Sequence, residues 1–241
     1  MPPSINIVSQ KKMLFERQLY PPEIGMSPQF AMMRFKAAIG KYGQQIVLSE
    51  SRFQKAREIW ATAALLTGVS KLTDKTYWVA PEYDDQTPDT YGISFKSHPK
   101  FEGGKIKEVL AIEVSEYEQH ATGDLVETVK RKLNGKAYPA YYVLLICAIR
   151  PGEKVNLDEV FQELTKETFS VGEIFLVGSV LTGTNYVYKT VSLYRKKASV
   201  DFCLDDELAK KATQPEMIRW SKGLGDDTMI EEQYVLKLPD L

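Results

Sequence analysis

Two carboxylates in the middle of the chain stand where a strand begins and where another ends. Asp89 follows Pro88 at the start of a segment with strand character, and Glu113 follows the four apolar residues 109–112. A carboxylate that ends a hydrophobic strand is costly to bury alone, so it needs water, a partner charge or a metal ion. The glycine- and proline-containing stretch 96–104 suits a hairpin connection. In an antiparallel hairpin the start of one strand lies beside the end of the next, so the sequence predicts that Asp89 and Glu113 are neighbours.

Paired carboxylates at one sheet edge suit a hard divalent cation. Mg²⁺ takes oxygen ligands and keeps several waters, and Mn²⁺ accepts the same ligands. A metal held by Asp89 and Glu113 can bridge a phosphate, lower the pKa of a bound water and stabilise a leaving oxygen. The alternatives stay open here: an aspartate after proline is a common turn former, and Glu113 also fits a solvated strand end.

The elements that must position these carboxylates are readable from hydrophobic periodicity. A first core helix begins at Ser49 or Ser51 and ends near Gly68. Strands, helices and their order are then predicted as follows: strands at 76–80, 89–95 and 109–117, a helix at 124–133, a strand at 141–149, a helix from Asn156 to Leu164, a strand at 174–180, and strands at 186–194 and 199–204. Three strands without intervening helices, followed by a helical crossover, predict an α/β fold with a mixed central sheet flanked by helices.

The chain is long enough for one large domain, and we expect a single α/β domain over 1–241. Residues 1–45 are expected to form an N-terminal extension, because prolines punctuate the first 28 residues. Within it we expect a short strand at 5–8 and a helix after Pro28 that ends at Gly40 or Gly43. Residues 46–180 would form the core, and 181–241 a C-terminal strand pair with a further extension.

Pro88-Asp89, followed after the hairpin by Ala111-Ile112-Glu113-Val114-Ser115, resembles the motif of the PD-(D/E)xK nuclease superfamily. The resemblance covers about residues 51–149, and the order helix–strand–strand–strand–helix–strand is its stronger part. It implies a restriction endonuclease-like core in which Asp89 and Glu113 bind Mg²⁺.

The resemblance also implies a lysine two positions after Glu113, on the same face of the strand. This sequence has Ser115 there, which can hydrogen-bond a water but supplies no positive charge. Some members of the superfamily take that group from the following helix, where Lys130 and Lys132 lie, and distance along the chain slightly favours Lys130. Both lysines also fit a simpler role, because cations near a helix C-terminus complement the helix dipole.

Together with these residues, the resemblance implies a metal-dependent DNA endonuclease or phosphodiesterase of the restriction or repair type, with DNA as partner. The alternative is a catalytically inactive module of the same fold that binds nucleic acid or protein, its site eroded at Ser115. A net charge of −1 argues against a purely electrostatic DNA binder but allows a local basic groove. Two cysteines and the lack of a long apolar run favour a cytoplasmic protein that does not enter a membrane. The oligomeric state stays open, and a homodimer is one expectation.

Overall fold

The computed structural model describes residues 7–83, 87–100, 102, 104–117, 125–148, 155–182, 185–210 and 216–220. The helices are α1 (Ile7–Leu19), α2 (Pro28–Tyr42), α3 (Gln44–Ser49), a 3-10 turn (Ser51–Phe53), α4 (Gln54–Thr73), α5 (Leu125–Leu133), α6 (Leu157–Thr165) and α7 (Leu204–Ala209). The strands are β1 (Ile24–Met26), β2 (Trp78–Pro81), β3 (Thr90–Ser97), β4 (Lys105–Tyr117), β5 (Tyr142–Ala148), β6 (Glu173–Thr182), β7 (Asn185–Ser192), β8 (Ala198–Cys203) and β9 (Met217–Arg219).

The described strands form one open, mixed sheet with the order β8-β7-β6-β5-β4-β3-β2-β1-β9. Strands β4, β5 and β6 run parallel, and every other neighbouring pair is antiparallel. The parallel pairs follow from the connections, because α5 and α6 carry the chain back between those strands. The α/β class and the helix-flanked mixed sheet predicted from the sequence are therefore confirmed.

Helices cover the centre of the sheet from both sides. The almost wholly apolar β5 shows the layering: Leu145 and Cys147 join the cluster beneath α4, whereas Leu144 and Ile146 join the cluster beneath α5 and α6. A strand covered on both faces needs this continuous apolar run. Helix α2 packs against α4 as an outer layer. Within the described ranges, no helix is long and apolar enough to cross a membrane.

From α4 to β8 the element order agrees with the prediction, and the boundaries differ for local reasons. Helix α4 runs through Gly68 to Thr73, because this glycine is a close-packing position and not a stop. A Cβ at Gly68 would lie 2.3 Å from Thr190 Oγ1. Strand β4 begins at Lys105 and not at residue 109, because β3 pairs with it along its whole length, out to Ser97 opposite Lys105.

Residues 7–45 were expected to form an extension, but they contribute to the body of the fold. The expected strand at 5–8 is wrong where the structure describes it, because residues 7 and 8 belong to α1; residues 1–6 lie outside the described part. Strand β1 pairs with β2 and β9 inside the sheet. At the other boundary, β7 continues the sheet from β6. The sheet therefore crosses both expected boundaries, near residues 45 and 180.

Gly172 lies where the chain before β6 crosses the loop before β5. A Cβ at this position would lie 2.2 Å from the backbone oxygen of Ala140, and the Gly172 N–H donates to Tyr142 O at 2.8 Å. We expect Gly172→Ala to lower the free energy of unfolding by about 1–3 kcal/mol, because neither backbone can yield freely. Urea unfolding measures this loss.

The matched control is Gly40→Ala. Gly40 is exposed in α2 and a Cβ there would meet nothing within 4 Å, so the helix propensity of alanine should leave stability unchanged or raise it by up to about 1 kcal/mol. Equal losses in the two variants would contradict the close approach at Gly172.

Candidate active site at the junction of β3 and β4

Asp89 is fixed to β4 at the point where β3 begins. Its backbone N–H donates to Ile112 O at 3.0 Å, and its Oδ2 accepts from the Val114 N–H at 2.8 Å. These two backbone groups flank Glu113 on either side. The predicted juxtaposition of Asp89 and Glu113 is therefore present, and the hairpin register creates it, because Thr90 pairs with Ile112.

Glu113 is a buried carboxylate, only 5% exposed. It lies on the face of β4 opposite to Ile112 and Val114, which belong to the cluster beneath α4. Its Oε1 is 3.0 Å from Lys132 Nζ and 3.8 Å from Lys136 Nζ. Its buried Oε2 has no hydrogen bond of ordinary distance and angle among the described residues, although the Tyr138 hydroxyl interacts with this carboxylate. Lys132 therefore balances the charge of Glu113 at Oε1, and Oε2 has no comparable partner.

The structure places Lys132, and not Lys130, at Glu113. Leu125, Val129 and Leu133 form the buried stripe of α5, and Lys132 is half-buried beside that stripe. Lys130 pairs instead with Glu167, at 2.6 Å between Nζ and Oε1. The slight preference for Lys130, which rested on distance along the chain, is not supported by this geometry.

Ser115 stands at the position where the superfamily motif has lysine. It follows Glu113 by two residues on the same face of β4, is half-buried, and pairs in register with Ile146 of β5. Ser115 therefore lies further along the strand, and the positive charge at Glu113 comes from Lys132 of α5 and from Lys136 just after that helix.

Two residues of α4 complete the cluster, and sequence reasoning missed both. Glu58 is 7% exposed, and its Oε2 lies 2.5 Å from Lys55 Nζ. Lys55 Nζ also donates to the backbone oxygen of Asp89 at 3.0 Å. The available signal was an acidic residue beside Ile59 on the apolar face of a core helix, where a charge needs a buried partner.

The crowding of acids changes the protonation of Asp89. Burial, then the charge of Glu58, then that of Glu113 raise the pKa of the Asp89 carboxyl from 3.8 to about 7, against the Val114 hydrogen bond and Lys55. Burial and the charge of Glu113 also raise the pKa of the Tyr138 hydroxyl to about 12. Shifts of this kind, with specific charge partners, are common where chemistry takes place.

The residues fit a magnesium ion held partly by the protein. Among the described residues no three His, Cys, Asp or Glu side chains form a group that could hold a metal by themselves. Mg²⁺ does not need such a cage, because it commonly binds one or two carboxylates and takes its other oxygens from water and substrate phosphate. The Glu113 Oε2, which has no partner comparable to Lys132, and the raised pKa of Asp89 both indicate a place that favours added positive charge.

Comparisons of the chain with protein-family models, with curated proteins and with solved structures found no match.

Proposed function

We propose that the chain is a metal-dependent phosphodiesterase that cleaves DNA, built on a restriction endonuclease-like core. The observation that carries the proposal is the arrangement at the β3–β4 junction: Asp89 Oδ2 accepts the N–H of Val114, the residue after Glu113, and the Lys132 ammonium lies 3.0 Å from Glu113 Oε1. The order α4-β2-β3-β4-α5-β5, an antiparallel meander followed by a parallel crossover, supports the same core.

In this proposal, the charge of each side chain determines its role. Asp89 and Glu113 would hold Mg²⁺, which lowers the pKa of a bound water and stabilises the charge that develops on a phosphodiester. Lys132 would orient the attacking water beside Glu113, because its ammonium can donate a hydrogen bond to the water oxygen as well as to the carboxylate. Glu58 would add negative charge at the α4 side, with Lys55 keeping it in place.

The cations next to the site also suit a polyanion. Lys136 is exposed and reaches within 3.8 Å of Glu113 Oε1, so its ammonium can turn from that carboxylate to a phosphate oxygen. Lysine binds phosphate as a mobile point charge, which fits this exchange of partners. A net charge of −1 over the whole chain leaves such local attraction intact.

The test is cleavage of single-stranded and duplex DNA by the purified chain with Mg²⁺ or Mn²⁺ and with EDTA. We expect metal-dependent cleavage that Asp89→Ala and Glu113→Gln each reduce by at least about 100-fold, because each removes charge from the metal site. Unchanged cleavage by Asp89→Ala would remove the assignment.

Glu108→Gln is the matched control for Glu113→Gln, because Glu108 is also a β4 glutamate held by two lysines. Hydrogen bonds from Lys75 and then Lys96 lower the pKa of Glu108 to about 2, and the group stands away from Asp89 near the β3 partner Ser94. Cleavage by Glu108→Gln should match that of the wild type. If Glu108→Gln lost as much cleavage as Glu113→Gln, the effect would come from the overall charge of β4 and not from the metal site.

A second candidate is the non-catalytic binding module. The salt bridge from Lys132 already balances the charge of Glu113 without a metal, and among the described residues no three His, Cys, Asp or Glu side chains are placed to hold a metal ion together. Calorimetry with Mg²⁺ and Mn²⁺ separates the two functions. Absence of metal binding together with absence of cleavage would favour the module.

A further inference from the structure

Three tyrosines form a continuous aromatic row beside the carboxylates. The ring centroids of Tyr138 and Tyr142 are 5.6 Å apart, and those of Tyr142 and Tyr141 are 5.2 Å apart. Both contacts are tilted, within the range in which aromatic rings attract one another. The row occupies the loop between α5 and β5 and the first residue of β5.

The row is attached to both halves of the candidate site. Lys136 Nζ lies 3.8 Å from Glu113 Oε1 and 5.6 Å from the Tyr138 ring centroid, so Tyr138 stands beside this carboxylate. At the other carboxylate, the Tyr142 hydroxyl donates to Thr87 O at 3.2 Å, two residues before Asp89. A molecule bound at the carboxylates is therefore next to this row.

Exposure increases along the row away from the carboxylates. Tyr138 is 7% exposed, Tyr142 is half-buried, and Tyr141 is 52% exposed. The other large hydrophobic side chains that stand exposed in the described part of the chain are aliphatic and lie on helices: Met13, Leu14, Met33, Ile46 and Leu72. Single exposed apolar residues are ordinary. Tyr141 differs from them because it ends a row of tilted, contacting rings that begins beside a buried carboxylate.

Resting on the proposed function, we propose that Tyr141 and Tyr142 form a stacking platform for an unpaired base next to the cleaved phosphate. The preferred substrate is then single-stranded DNA, or a single-stranded end, and not uninterrupted duplex. An aromatic ring offers its face to any unpaired base, whereas the bases of a duplex are already stacked on one another. Lys136, between the row and Glu113, supplies the cation for the phosphate that follows the stacked base.

The experiment measures binding of the full chain to a fluorescein-labelled single-stranded oligothymidylate in EDTA, where metal-dependent cleavage is prevented. Tyr141→Ala should weaken this binding by about 5- to 50-fold, since losing one base–aromatic contact has an effect of this size. Tyr141→Phe keeps the ring and should bind within about twofold of the wild type, as stacking needs no hydroxyl. Binding to a duplex of the same length should be weaker and insensitive to Tyr141→Ala.

The outcomes separate the platform from the nuclease. If the wild type cleaves DNA with Mg²⁺ but Tyr141→Ala binds the single strand as tightly, the platform is overturned and the proposed function stands. If no cleavage occurs but binding depends on the Tyr141 ring, the platform is supported and the nuclease fails. Equal affinity for duplex and single strand, or no binding of either, overturns the platform. Thermal melting of Tyr141→Ala checks that this exposed substitution leaves the fold intact.

Discussion

Lys132→Met should lower metal-dependent DNA cleavage by at least about 100-fold, whereas Lys130→Met should leave it within about threefold of the wild type. Both changes remove one ammonium from the same helix, two residues apart, and so alter the net charge equally. Only Lys132 lies 3.0 Å from Glu113 Oε1, while Lys130 pairs with Glu167 away from the carboxylates. Initial rates on one DNA substrate, measured at saturating Mg²⁺, make the comparison.

The conservative variant Lys132→Arg sharpens this test. A guanidinium keeps the charge but replaces a compact ammonium by a planar fork, so activity should be recovered only in part. Similar losses in Lys132→Met and Lys130→Met would mean that α5 acts through its general positive charge. A loss confined to Lys130→Met would favour Lys130, as distance along the chain does. Lys132 would then not be the cation that acts at the site.

The meeting of Asp89 and Glu113 was predictable because short-range rules determine it. A hairpin connects their strands, and pairing in that hairpin follows from chain direction and alternation. The choice between Lys130 and Lys132 was not predictable in this way. Residues two apart on a helix point to nearly opposite sides, so the choice depends on how the buried stripe of α5 rotates the helix on the sheet. The number of residues between Glu113 and each lysine carries no information about that rotation.

The role of α4 and of the N-terminal segment depends on contacts that are remote in sequence. Glu58 meets Asp89 only after α4 has docked across the sheet, so its buried position was visible in the pattern but its partner was not. The prolines before residue 30 were interpreted as marks of irregular chain. The helix expected after Pro28 is confirmed, because Pro28 begins α2 behind the capping Ser27, whose side chain accepts the Phe30 N–H. The expectation fails earlier in the segment, where α1 and β1 are regular elements that pack into the fold.

Asp89→Asn should make the metal-free protein more stable, and the gain should increase with pH. Burial, Glu58 and Glu113 raise the pKa of Asp89 from 3.8 to about 7. Between these two values the unfolded chain has lost the proton that the folded chain still holds, so the stability of the wild type falls as pH rises through this window. The asparagine carries no charge to ionise, and its side-chain oxygen can still accept the Val114 N–H.

Urea unfolding of both proteins in EDTA measures this difference. The advantage of Asp89→Asn should grow by about 2 kcal/mol between about pH 5 and pH 8, because each unit of pKa shift is worth about 1.4 kcal/mol before solvent screening reduces it. Saturating Mg²⁺ should reverse the order at about pH 8, since a cation stabilises only the wild-type carboxylate. A gain that does not change with pH would show that Asp89 ionises normally in the folded chain, and the crowding of acids at the β3–β4 junction would then carry no energetic cost.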